Sequence, residues 1–199
     1  MEQVLNVVRS GDISRLRRLL DGGIDVDVRD ELGWSPLMWA AALGLPHIVR
    51  VLLEHGADTE AGDAYGATPL MKACRQGFVA VAELLLYYGA DIDAVDALGW
   101  TALMRAAQRG DDTMVKFLLD RNPDAEIADQ GGTTALMLAA ARGHLQVVKE
   151  LLDWGVQADA TDLEGRTALM LALSENHSVV AVELREHIDP VGRKRRNRR

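Results

Sequence analysis

The sequence lacks most of what would mark an enzyme, a membrane protein or a disulfide-stapled secreted domain. Its 199 residues hold one cysteine, Cys74, so no intrachain disulfide framework exists and a reducing compartment is favoured. No stretch approaches the roughly 18 consecutive apolar residues that a membrane-crossing helix needs. The first apolar segment is short, follows Glu2 and is interrupted by polar residues, which argues against a signal peptide. No Gly-rich phosphate loop, no Cys/His cluster with zinc spacing and no nucleophile set beside a histidine is present. The five histidines are scattered: His47, His144 and His177 near the starts of helical segments, His55 and His187 near their ends, where positive charge suits the helix dipole. The expectation is a soluble intracellular protein, cytoplasmic or nuclear, without a catalytic residue, metal or cofactor.

Charge is unevenly spread. The net charge is −8, yet Arg193, Lys194, Arg195, Arg196, Arg198 and Arg199 put six positive charges on the last seven residues. Without them the body carries 16 basic against 30 acidic residues, so an acidic body is followed by a basic tail and the two should meet different partners. Clustered positive charge is all that a nuclear-import signal or a polyanion contact requires. A solvated end with no specific role satisfies the same composition.

What is present is a repeat of 33 residues, clearest in Asp63-Ala64-Tyr65-Gly66-Ala67-Thr68-Pro69-Leu70-Met71. Asp30, Asp63, Asp96, Asp129 and Asp162 share one register, each followed by Gly three positions on and by Ser or Thr two further: Ser35, Thr68, Thr101, Thr134 and Thr167. Leu-Met pairs follow at Leu37, Leu70, Leu103, Leu136 and Leu169, then Ala40, Ala73, Ala106, Ala139 and Ala172. A fixed period of this length means stacked units, none able to bury its apolar faces alone. Cys74 falls where other copies have Ala41, Ala107 and Ala140, and is expected to be a buried small side chain.

Each unit reads as turn, helix, turn, helix. Ser or Thr is the N-cap of the first helix, and Pro36 or Pro69 takes the first helical position, where a missing N–H is harmless. Gly44, Gly77, Gly110 and Gly143 end that helix in the left-handed conformation, with Asn176 as substitute in the last copy. A second helix then runs to Gly56, Gly89, Asn122 or Gly155. Residues 1–29 match the second part of such a unit and form a polar N-terminal cap. Full units are expected at 30–62, 63–95, 96–128 and 129–161, with a diverged C-terminal cap at 162–188 and a basic disordered tail at 189–199.

The pattern Asp-x-x-Gly-x-Thr-Pro-Leu, then Ala-Ala, Gly, Val-Val-x-Leu-Leu and Gly-Ala-Asp, resembles the ankyrin repeat over roughly residues 2–188. Gly66–Leu70 with Gly89-Ala90-Asp91 is the cleanest copy. The resemblance implies an all-α solenoid of helix-turn-helix units with extended turn tips, and recognition of proteins rather than catalysis. One departure is systematic: Met38, Met71, Met104, Met137 and Met170 stand where the family usually has His, replacing an inter-repeat hydrogen bond with apolar contact.

In that family the binding surface is the concave face of turn tips and first helices. Here it would carry Leu32, Trp34, Tyr65, Leu98 and Trp100 on the tips and Arg75, Arg105, Gln108, Arg109 and Arg142 on the helices. Aromatic residues with Arg dominate interface energetics. Trp34 and Trp100 have an alternative, packing against neighbouring tips. A second series, Asp25, Asp58, Asp91 and Asp124 with Asp27, Glu60, Asp93, Glu126 and Asp159, is expected to accept backbone N–H bonds in the connecting turns. Attraction of a basic partner is the other use of that series. The leading functional expectation is a monomeric, non-enzymatic adaptor for a protein partner, touching nucleic acid only through the tail. A competing one is a sensor in which Trp34 and Trp100, with Lys72, Arg75 and Arg105 between them, hold a nucleotide-like ligand.

Overall fold

A computed structural model describes residues 2–188, except for the Glu2 side chain; the Arg/Lys segment 193–199 lies outside the described residues. Twelve helices occur among the described residues, in six pairs. They are α1 Glu2–Ser10 and α2 Ile13–Asp21, α3 Pro36–Ala42 and α4 Pro46–Glu54, α5 Pro69–Gln76 and α6 Val79–Tyr87, α7 Ala102–Arg109 and α8 Asp112–Leu119, α9 Ala135–Ala141 and α10 Leu145–Trp154, α11 Ala168–Ser174 and α12 Ser178–Ile188. The fold is all-α, with helix pairs stacked in the manner of a repeat solenoid. The described residues divide after Ala102 into two compact units.

In the first unit α1, α3 and α5 pack in one layer and α2, α4 and α6 in another. In the second, α9 packs on α11, while α8, α10 and α12 pack side by side. The first helices are short because their ends are set locally. The hydroxyl oxygens of Ser35, Thr68, Thr134 and Thr167 accept the N–H bonds of Met38, Met71, Met137 and Met170. Each such cap contributes about 1 kcal/mol. At the other end Asn176, at φ 63°, takes the left-handed role that Gly143 and Gly110 play one and two repeats earlier.

Small residues set how closely the layers approach. Ala40, Ala41, Ala73 and Cys74 are fully buried in the first unit, as are Ala106, Ala107, Ala139 and Ala140 in the second. The methionines follow: Met38, Met71, Met104 and Met137 are at most 2% exposed. Met170, in the last helix pair, is 55% exposed, because no further repeat covers it among the described residues. Burying a side chain of this size contributes about 1.5–3 kcal/mol. The same five-fold sequence position therefore supports the stack in four copies and lies open in the fifth.

Candidate protein-interaction surface

The turn tips are built around the repeated aspartate. Oδ1 of Asp30, Asp63, Asp96, Asp129 and Asp162 each accepts the backbone N–H groups two and four residues on, at 2.8–3.0 Å. The Gly N–H three residues on donates to the Asp carbonyl at 2.9 Å in every copy. One carboxylate thus closes a whole tip, and the residues between are held outward on a fixed backbone. Two tips are also bonded to their neighbours: Ala97 N–H donates to Tyr65 O at 2.8 Å, and Leu163 N–H to Gly131 O at 2.9 Å. At Gly66, with φ +74°, a Cβ would lie 3.2 Å from Ala97 N, so this close approach needs glycine.

In three of these repeats Oδ2 of the aspartate takes a donor, a different one each time. Trp39 Nε1–H donates to Asp30 at 2.8 Å, and the Lys72 ammonium pairs with Asp63; both donors stand nine residues after their aspartate. In the last repeat Arg166 Nε–H reaches Asp162 at 2.7 Å. Burial alone would raise the Asp63 carboxyl, but the bond from Lys72, the N–H bonds from Tyr65 and Ala67 and the Lys72 charge outweigh it and lower the pKa. Asp30 follows the same course: burial is overcome by N–H bonds from Trp34, Trp39 and Leu32 and by the charge of Arg9. Asp162 is lowered first by the Arg166 N–H, with burial opposing and the guanidinium adding.

These bonds decide where Trp34 lies. Its ring packs on Trp39, with centroids 4.8 Å apart and planes inclined at 50°, and the Lys72 ammonium stands 4.2 Å from its centroid. The Arg9 guanidinium lies 4.1 Å from the Trp39 centroid. Trp34 and Trp100 are half-buried, whereas Leu32, Tyr65 and Leu98 are 61%, 76% and 59% exposed. The five tip residues expected to face solvent therefore divide into three that do and two that are partly covered. The cover on Trp34 comes from one residue of its own repeat and one from the next.

Of the helix residues in the expected surface, Arg75 is exposed on α5, and Arg109 and Arg142 are exposed near the ends of α7 and α9. Arg105 and Gln108 are half-buried, and Arg109 Nε lies 3.6 Å from Asp111 Oδ2. A cleft of about 480 Å³ opens beside Arg9, Asp30, Leu32 and Trp39 at the start of the first unit. Arg9 and Trp39 were absent from the expected surface. The signal that marks Trp39 is its register, since it shares the ninth position with Lys72.

The connecting-turn carboxylates serve the backbone. Asp25, Asp58, Asp91 and Asp124 each accept the N–H two residues on at 2.8–3.0 Å. The second series reaches the following repeat: Asp27 accepts from Asp58 N–H, Glu60 from Asp91 N–H and Glu126 from Gln157 N–H, the last at 2.7 Å. Burial raises the Asp27 pKa, helped by the charges of Asp58 and Asp25 and opposed by the Asp58 N–H bond and Arg29. His144 also serves the stack: its Nε2 lies 3.1 Å from Gln108 O and its ring covers Gly110. No group of three His, Cys, Asp or Glu side chains able to hold a metal occurs among the described residues, nor a helix long and apolar enough to cross a membrane.

This architecture defines a class, helix pairs stacked through aspartate-closed tips, and the comparison with known families agrees. The family described as ankyrin repeats (3 copies) matches residues 5–96, 67–129 and 103–192. The chain belongs to the ankyrin-repeat family, whose members are protein-interaction modules as a class and generally not enzymes. It is 42% identical over 50 residues to the human ankyrin repeat, SAM and basic leucine zipper domain-containing protein 1, and equally to its counterpart from Colobus guereza. Each match takes in 25% of this chain and spans 10% of the relative's length.

Proposed function

We propose that the chain is a non-enzymatic adaptor that presents its first-unit tips to a protein partner. The observation that carries this reading is the row Leu32, Tyr65 and Leu98, each more than half exposed on a tip whose backbone is closed by an aspartate. Apolar groups held outward on a fixed backbone have little ordering entropy left to lose on binding. Arg75 on α5 adds a charged contact to that face. Arg105, Gln108, Arg109 and Arg142 form the corresponding set in the second unit, and Trp34 and Trp100 contribute their uncovered edges.

The competing reading, a nucleotide-like ligand between Trp34 and Trp100, is less well supported. Lys72 is already paired with Asp63 and set over the Trp34 ring, and Trp39 packs on Trp34. A phosphate on Lys72 would have to displace a buried carboxylate. A monomeric protein of the cytoplasm or nucleus, with repeats at 30–62, 63–95, 96–128 and 129–161 between terminal caps, completes the proposal; the basic tail would serve import.

The test is quantitative affinity capture with three immobilised forms of the full chain: unaltered, Tyr65→Asp/Leu98→Asp, and Tyr87→Ala. Tyr87 is 81% exposed on α6, away from the tips, and is the control. A protein retained by the unaltered and Tyr87 forms and lost by the tip variant supports the assignment. Equal capture by all three removes it.

A further inference from the structure

A groove of about 180 Å³ runs between the C-terminal halves of α8 and α10, on the second-helix layer and outside the surface proposed above. Trp154 is its aromatic wall, 42% exposed, and Leu119 lies beneath. Asp120, Glu150 and Asp153 line the same groove as the indole, together with the cation of Lys116. Glu150 accepts a bond from Gln146. Among the described residues Asp120 and Asp153 enter no ion pair, and both are exposed. An indole sharing a groove with carboxylates suits a guanidinium: the flat cation can stack on the ring while its N–H groups reach carboxylate acceptors.

The chain carries a segment of that chemistry at the right place. Helix α12 packs on α10, and Ile188, its last residue, stands one 33-residue period after Gly155, the residue that follows Trp154. Packed helices lie about 8–10 Å apart. The four residues 189–192 span up to about 13 Å when extended. Arg193 can therefore pass the end of α10 and reach its far side, followed by five further basic residues. We propose that the chain's own C-terminal segment, Arg193–Arg199, docks in the groove between α8 and α10, with an arginine stacked on Trp154 and bonded to Asp120 and Asp153. The docked state holds the basic segment against the acidic body, and it competes with any polyanion or import partner for the same charges.

The test uses the full chain, 15N-labelled, with a nitroxide on Asn197→Cys in a Cys74→Ala background, alanine being the residue at that register in three other repeats. The expected result is loss of most of the Trp154 indole N–H intensity and broadening of the Asp120 and Asp153 amides. Asp120→Asn/Asp153→Asn, two exposed positions, should restore those signals while leaving other amide shifts in place. An unbroadened Trp154 indole overturns the proposal. So does broadening no stronger at Trp154 than at the acidic turns around Asp58 and Asp91, which would mean diffuse attraction only. A sample mixing labelled chains without nitroxide and unlabelled chains with it separates sources: broadening as strong there as in the single species places a neighbour's segment in the groove and also overturns it.

Discussion

The ammonium of Lys72 pairs with Asp63 and at the same time stands 4.2 Å from the centre of the Trp34 ring, so one side chain closes its own tip and covers the aromatic residue of the preceding one. The Lys72 and Asp63 side chains are only 10% and 4% exposed. Replacing Lys72 with Met should leave Asp63 buried without its counter-charge. Removing one partner of a buried pair costs about 3–5 kcal/mol, and the two N–H bonds that Asp63 keeps place this loss at the lower end. Lys72→Met/Asp63→Asn should recover part of it. The check is the urea midpoint of each variant. Since the folded Asp63 pKa lies below its ordinary 3.8, its contribution is present above that value and fades as pH falls through the lowered one. The acid limb of the stability profile should therefore shrink in Lys72→Met; an unchanged acid limb would show that the pair is not its source.

His55 links α4 to α2. Its Nδ1–H donates to Val51 O at 2.7 Å and its Nε2 lies 3.2 Å from Asp21 Oδ1, which suits the doubly protonated ring. The Val51 carbonyl and then the Asp21 bond raise its pKa above the ordinary 6.5, against burial and Arg17. A raised histidine contributes fully below 6.5 and loses that contribution as pH rises through the higher folded value. Asp21 is 71% exposed, so the effect should stay below about 1 kcal/mol. Urea midpoints across this window should fall with rising pH in the unaltered chain and fall less steeply in Asp21→Asn, which keeps the Val51 bond. A slope that survives His55→Asn belongs to another group.

Asp27 carries a cost that can be removed. Burial and the charges of Asp58 and Asp25 raise its pKa, yet its oxygen is needed by Asp58 N–H. Asn keeps that acceptor and discards the charge. Asp27→Asn should be neutral or stabilising by up to about 0.5 kcal/mol near neutral pH, whereas Asp27→Ala, which loses the acceptor, should destabilise. The order of the two thermal midpoints decides the point.

Two glycines of the second unit separate conformational strain from contact. Gly110 and Gly155 both have positive φ, at +80° and +103°, but a Cβ on Gly110 would meet His144 Nδ1 at 2.5 Å whereas one on Gly155 would meet nothing within 4 Å. Gly155→Ala should cost about 1–2 kcal/mol, the price of a left-handed alanine. Gly110→Ala should cost more, because the His144 ring must also leave Gln108 O. His144→Ala should reduce the difference between them. Equal losses for the two glycine variants would mean that the ring moves freely.

Much of the tip was legible beforehand because it is local. Asp30 bonds to N–H groups two and four residues away, and Ser35 caps a helix three residues on; such bonds recur whenever the short pattern recurs. The candidate surface was legible only in part. Leu32, Tyr65 and Leu98 lie exposed where their register placed them, but the cover on Trp34 depends on Lys72, a residue of the next repeat, and the role of Trp39 depends on the second oxygen of Asp30. Lys72 belongs to the next repeat, whereas Trp39 lies in the same unit as Trp34 and is marked by its register nine residues after Asp30.

By itself the sequence determined the period, the helix ends and the closing of each tip, since those are set by backbone geometry and hydrogen bonds within about ten residues. Tertiary structure alone decided what equivalent residues do. Met137 and Met170 share flanking Ala-Leu-Met-Leu-Ala, yet one is 1% and the other 55% exposed. A repeat supplies each side chain with the same local frame, but its environment is made by the neighbours stacked on it, and those differ at every level of the stack.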